Sequence, residues 1–217
     1  LLNFAIKRLA EIFGLVIFLC GVFLLIALLT YSPEDPNFIF PENTEIKNLL
    51  GFRGSFVSDL FFQSIGLMSY LIALTFIITG INTLNAKDFF LIIENCFFGI
   101  LYLFFGTLFL NFFYSETFIL YINGNGGFIG SYLNTTFLSS IIQINEATAY
   151  YILLSLILFL FLLSINFHPI KSYKVIKNLI NLLNRKKNKN YTDKSEVISK
   201  YIPQEEIKNL IQEDLPF

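Results

Sequence analysis

Four stretches of this chain are too long and too apolar to be helices of a water-soluble core. The first, residues 12–31, carries no charge and is closed by Ser32-Pro33. The second, 56–79, holds Asp59 near its start, and the third, 89–113, holds Glu94 in its first turns. The fourth, 147–167, is stopped by His168-Pro169. A hydrocarbon core about 30 Å thick takes roughly 20 helical residues to cross. Backbone polar groups cannot stay unpaired in lipid, so each run must be helical, and none shows the apolar/polar alternation of a barrel strand. Only 14% of the residues are charged and 55% are hydrophobic, against about 25% charged in ordinary soluble domains. A disordered chain, a disulfide-rich secreted module and a freely soluble enzyme all fit poorly. The expected fold class is an all-α membrane protein: four transmembrane helices, an outer interfacial or re-entrant amphipathic helix, and a cytoplasmic basic amphipathic helix.

Charge gives the direction. Lys7 and Arg8 precede the first run, and two bases face four acids between runs one and two. No Lys or Arg occurs from Asp88 to Pro169, after which Lys171, Lys174, Lys177, Arg185, Lys186, Lys187 and Lys189 follow without an intervening acid. The positive-inside rule then puts both termini in the cytoplasm and the first and third loops outside. Residues 1–170 read as a transmembrane anchor domain and 171–184 as a basic amphipathic helix resting on anionic headgroups. Residues 185–217 read as the start of a cytoplasmic linker. On the outer side, Leu133, Phe137, Leu138, Ile141 and Ile142 recur at helical spacing between residues 131 and 146. That stretch is too polar to span and is expected in the outer interface or dipping into it. The chain begins Leu1-Leu2 and is read as a piece of a longer protein.

Few residues could carry chemistry. No GxxxxGK[ST] is present, and the loop Gly124-Asn125-Gly126-Gly127-Phe128-Ile129-Gly130 misses GxGxxG at position 129. Tight turning, for which glycine supplies positive φ, is the better account of it. His168 has no second histidine to share a metal with, and Cys20 and Cys96 lie inside apolar runs as small hydrophobes. No catalytic residue, cofactor site or metal site is expected. Glu94, Asp59 and Glu146 leave open a small four-span transporter or channel subunit, because ionisable groups inside a span suggest an ion path. Gly14, Gly21, Gly66, Ser69, Gly99 and Gly106 are expected to let helices approach closely.

Three motifs point to a family. Tyr31-Ser32-Pro33-Glu34-Asp35-Pro36-Asn37 resembles the Y-x-P-x-D-P-(S/N) signature of the membrane domain of FtsK/SpoIIIE DNA translocases. Asn48-x-x-Gly51-x-x-Gly54, followed by Ser58-Asp59-Leu60-Phe61, Gly66 and Tyr70, is similar to the same family's next stretch. Here Ser55 and Ser58 stand where Ala is usual, and Ile65 stands where Phe is common before the glycine. Gly126-Gly127-Phe128-Ile129-Gly130 is similar to its G-G-x-(I/L)-G before the last span. The resemblance implies a four-span anchor joined through a linker to a cytoplasmic ATPase ring, a hexamer, that pumps duplex DNA. It also implies a place in the bacterial inner membrane at the division septum, among other division proteins. ATP and Mg would belong to the motor, whose Walker motifs are not in this sequence. Tyr31, Pro33, Asp35, Pro36, Asn48, Gly51, Gly54, Asp59, Gly127 and Gly130 match motif positions, and turn geometry gives them structural roles. The lysine-rich tract could also contact DNA phosphates, although its apolar stripe favours the membrane surface.

Overall fold

The computed structural model describes residues 2–36, 45–115 and 123–167, together with Lys177. The chain divides into two units, 1–167 and 168–217. In the second, Lys177 is helical and exposed. His168, Lys171, Lys174, Arg185, Lys186, Lys187, Lys189 and the expected basic helix otherwise lie outside the described residues. In the first unit every regular element described is helical: α1 (Leu2–Leu29), α2 (Gly51–Ile65), α3 (Ser69–Ala86), α4 (Phe90–Phe113), α5 (Gly127–Asn134), α6 (Phe137–Ile144) and α7 (Glu146–Ser164). A single 3-10 turn, Gly66–Met68, joins α2 to α3. Among the described residues, four stretches are long and apolar enough to cross a membrane: Phe4–Leu29, Gly51–Ala86, Phe90–Phe113 and Glu146–Ser164.

α1 and α3 are antiparallel partners held almost backbone to backbone. A Cβ on Gly80 would lie 2.6 Å from the Phe18 amide nitrogen, and one on Gly21 would lie 2.7 Å from that of Ile77. Lipid supplies no hydrophobic drive between helices, so such close approach, with its dispersion contacts, takes its place. The register follows: Gly14 faces Leu84, Gly21 faces Ile77, and at the far end the Tyr70 hydroxyl donates to the Leu28 carbonyl at 3.3 Å. The 18 residues of α3 rise about 27 Å, one hydrocarbon thickness. The expected span 56–79 falls within the apolar stretch Gly51–Ala86, which the structure breaks at Gly66 so that α3 is the part aligned with α1. This leaves α2 beside the end of α1 that carries Tyr31, called here the motif end. At the opposite end Glu11 takes Lys87 at 2.6 Å and Arg8, pinning α1 to the left-handed residue (φ 57°) that closes α3.

α4 and α7 form the second pair. Tyr102, Phe109, Ile157, Leu160 and Met68 are its buried core, with Phe161 edge-on to Tyr102 at 5.6 Å. Buried polar groups tie the two pairs together. The Tyr102 and Thr75 hydroxyls lie 2.9 Å apart, and Asn95 donates to Thr79 Oγ1 at 2.9 Å while its Oδ1 accepts from Asn166 at 2.6 Å. Asn82 donates to the Ile165 carbonyl at 2.9 Å. Each such bond adds about 0.6–2 kcal/mol in a bilayer.

The continuous amphipathic helix expected at 131–146 is instead two short helices, α5 and α6. Thr135 and Thr136 interrupt it: the Thr136 hydroxyl donates to the Leu133 carbonyl and accepts the Leu138 amide, ending one helix and capping the next. Tyr31, Tyr70, Tyr114 and Tyr150 gather at the motif end. Phe62 lies between the first two at 4.8 and 5.5 Å, and the last two share a 2.7 Å hydrogen bond. Tyrosine is enriched where membrane proteins meet the membrane–water interface, and a girdle of this kind is of that character.

Candidate functional site: the motif knot and the glycine cradle

The first two motifs fold onto each other around the last turn of α1. Its final carbonyls have no helical partners and need donors from outside. The buried Asn48 amide supplies them, donating to the Ala27 carbonyl at 2.9 Å and to Thr30 at 3.3 Å. Its own Oδ1 accepts the Leu50 amide at 3.0 Å, a turn that leads into α2 at Gly51, where φ is +64°. Gly54 is needed just there, because a Cβ at that position would fall 2.2 Å from Asn48 Oδ1. Asp35, also buried, accepts the Lys47 and Asn48 amides on its two oxygens, both at 2.9 Å. Pro33 and Pro36 frame it, and Ser55 donates to the Pro36 carbonyl at 3.1 Å. The departure Ser55 from the family's alanine thus adds a bond. Asn37 lies outside the described residues.

Asp59 is the second buried acid of this knot, 5% exposed. Tyr31 donates to its Oδ1 at 3.1 Å, and Gln63 approaches the same oxygen at 3.5 Å. Burial, and then the Asp59 charge, push the Tyr31 hydroxyl well above the ordinary tyrosine range. At the rim the Lys47 ammonium hydrogen-bonds the Glu34 carboxylate, which holds Glu34 below and Lys47 above their usual values. Both groups are fully exposed, so the pair adds little.

The third motif is a cradle that locks the break between α2 and α3. Gly66 and Gly127 both have positive φ (60° and 63°) and lie back to back: a Cβ on Gly66 would fall 1.9 Å from the Asn125 carbonyl oxygen, and one on Gly127 2.6 Å from the Gly66 nitrogen. The Leu67 amide donates to that carbonyl at 2.9 Å, and Asn123 donates to the Gln63 carbonyl at 3.2 Å. Gly126 and Gly130 press on α4, 2.4 and 2.5 Å from the Thr107 carbonyl oxygen by the same measure. The Gly127 and Gly130 amides are engaged by Gly124 and Gly126. A loop whose amides close its own turns does not fit a nucleotide phosphate.

The remaining candidates do not converge. Glu94 is exposed on α4 beside Asn95, toward the Lys87 end; Glu146 is exposed at the start of α7; Asp59 is buried in the knot. No group of three or more potential metal ligands occurs among the described residues. Gly14 and Gly21 pack as expected; at Gly99 the contact is looser, the would-be Cβ meeting the Ser164 hydroxyl of α7 at 3.8 Å, and Gly99 also borders an apolar cavity of about 380 Å³ between α1, α3 and α4. Gly80, which makes the closest approach to α1, was not singled out by its spacing. Its signal was its place seven residues after Ala73 on a face of small residues.

Known proteins agree with this reading. The family described as the 4TM region of DNA translocase FtsK/SpoIIIE matches residues 6–176. The DNA translocase FtsK of Caulobacter vibrioides is 33% identical over 75 residues, 35% of this chain and 9% of that protein. The DNA translocase FtsK of Rickettsia prowazekii is 32% identical over 69 residues, 32% of this chain and 9% of that protein. The matched segment is thus about a tenth of the length of these relatives. No solved structure matches. The motifs that build the knot and the cradle fall within the matched residues, and the chain belongs to the family of the FtsK/SpoIIIE four-transmembrane region.

Proposed function

We propose that this chain is the membrane anchor and oligomerisation module of a septal DNA translocase, coupling chromosome segregation to cell division. The observation that carries the reading is the family match over residues 6–176, which covers all three motifs and all but the first two residues of the four apolar helical stretches. The chain sits in the bacterial inner membrane with both termini in the cytoplasm, as the lysine-rich tract from Lys171 to Lys189 and Lys7-Arg8 favour. ATP, Mg and duplex DNA are handled by a motor domain of the kind the relatives' names describe. Copies of the anchor associate, as a hexamer if they follow the motor, and meet other membrane proteins of the septum. This chain itself performs no catalysis. A fluorescent fusion tests the reading: enrichment at mid-cell in dividing cells supports it, and an even distribution around the envelope overturns it. The transporter alternative has no observation in its favour, since Glu94, Asp59 and Glu146 occupy separate places in the fold. A flux abolished by their amide variants would revive it.

A further inference from the structure

The stripe between residues 131 and 146 is not one apolar face but two. Leu133 and Ile142 are 7% and 5% exposed and, with Leu138, pack on Leu108, Phe113 and Leu153. Phe137, Ile141 and Ile144 point away from the protein, 72%, 56% and 82% exposed. They recur at intervals of four and three residues, so they lie along one side of α6. An eight-residue helix rises only about 12 Å and cannot cross a bilayer. Its depth is set by its partners: the residues it packs on, Phe112, Phe113, Ala149 and Leu153, are the neighbours of Tyr114 and Tyr150 in the tyrosine girdle.

We infer that α6 is an interfacial wedge whose outward face, Phe137, Ile141 and Ile144, is embedded in the acyl–headgroup boundary of the leaflet at the motif end. Lipid, rather than a partner chain, is the occupant for three reasons. First, the face is continuous with the lipid-facing side of a transmembrane helix. Asn145 ends α6 and caps α7 by accepting the Thr148 amide at 3.1 Å, and Tyr151, Ile152, Leu158 and Phe159 of α7 are exposed in turn. Second, it sits at the level of the tyrosine girdle, where an apolar face meets hydrocarbon. Third, no Lys or Arg occurs between Asp88 and Pro169, so nothing on this side requires an acidic partner surface. Three large side chains at that depth fix the height of α7, and through the cradle that of the α2–α3 break, against the bilayer.

The absence of tryptophan from the chain gives a clean test. Phe137→Trp, Ile144→Trp and, as a mid-span reference, Phe159→Trp are each made in the 217-residue chain and reconstituted in phosphatidylcholine vesicles. Emission is then quenched by lipids brominated near the glycerol end or near the methyl end of the acyl chain, and by acrylamide on both sides. At positions 137 and 144 the shallow bromines should quench about twofold more than the deep ones, with little effect of acrylamide. Position 159 should show the reverse preference for depth. Quenching at 137 and 144 by acrylamide but not by brominated lipid would put the face in water and overturn the inference. Protection from both quenchers would show that protein covers it, a second copy included, and would overturn it equally. Two sites at opposite ends of α6 are used because one variant that misfolds, detected by its circular dichroism, leaves the other to decide.

Discussion

Replacing Gly80 by alanine should loosen the α1–α3 pair, whereas the same change at Gly99 should not. Both glycines lie inside α-helices at membrane depth, so alanine brings each the same gain in helix propensity and unfolded-chain entropy, about 0.5–1 kcal/mol. What differs is the space. At Gly80 the new methyl would sit 2.6 Å from the Phe18 nitrogen and 2.7 Å from the Gly14 carbonyl oxygen, backbone atoms that move only if α1 moves. Restoring van der Waals spacing takes most of an ångström, and a gap of ~0.5–1 Å forfeits a quarter to a half of each dispersion contact along the helix pair. Overpacking of this kind costs about 1–3 kcal/mol. At Gly99 the nearest atoms are the Ser164 hydroxyl at 3.8 Å and a Tyr102 ring carbon at 3.9 Å, so the methyl makes ordinary van der Waals contacts at no steric cost. The two variants should therefore differ by about 2 kcal/mol, more than tenfold in the unfolding equilibrium. Reversible unfolding in mixed micelles by titration with SDS, followed by circular dichroism, reads this difference. Equal stabilities within about 0.5 kcal/mol would refute the claim that backbone contact between α1 and α3 holds the first pair together.

Asn48→Ala removes two donors from the end of α1 and an acceptor from the Leu50 amide, and should cost about 2–4 kcal/mol in the same titration. Tyr31→Phe tests the buried acid. The Tyr31 pKa is raised in the fold, so its stabilisation is fully present below the ordinary tyrosine value of 10.0 and is lost as pH rises through and beyond it. The unaltered chain should lose stability in that alkaline range, and the variant should lose less. Lys47→Met, by contrast, should leave the unfolding midpoint unchanged, because the Glu34 pair is wholly exposed. Gly66→Ala should prevent the cradle from closing, since its Cβ would collide with the Asn125 carbonyl; a loss of the cooperative transition checks it.

The four apolar stretches were legible because a bilayer imposes one requirement, length, on sequences with few charges. The register of the second was not. A window of apolar residues slides freely over Phe56 to Ala86, and only the tertiary fit of Gly80 and Gly21 with the break at Gly66 says which part lies beside α1. Asp59 illustrates the same limit. Its place in the sequence suggested the start of a span, yet its role depends on Tyr31, 28 residues away, which no local pattern announces. The amphipathic stripe after Ser131 was visible as a period, but not that Thr135 and Thr136 divide it, because threonine is tolerated in helices and ends one only when its hydroxyl finds backbone.

The placement of the motifs follows from the same physics. Between apolar helices in lipid, packing gives attraction along the whole length but discriminates poorly among registers, because one turn looks much like the next. Hydrogen bonds with a fixed geometry discriminate well, and they need polar side chains, which are costly except where they are fully paired or near the interface. Asp35 and Asn48 meet both conditions: each is buried, each has its bonds made to backbone, and both sit where α1 ends. Gly66 and Gly127 do for the break between α2 and α3 what those two do for the end of α1, by allowing one backbone conformation that side chains would forbid. A knot and a cradle at one end, with Asn95 joining α3, α4 and the end of α7 toward the other, fix two pairs of otherwise slippery helices into one frame. On the anchor role proposed above, such a frame would carry load to the bilayer through its apolar stretches together rather than through one helix.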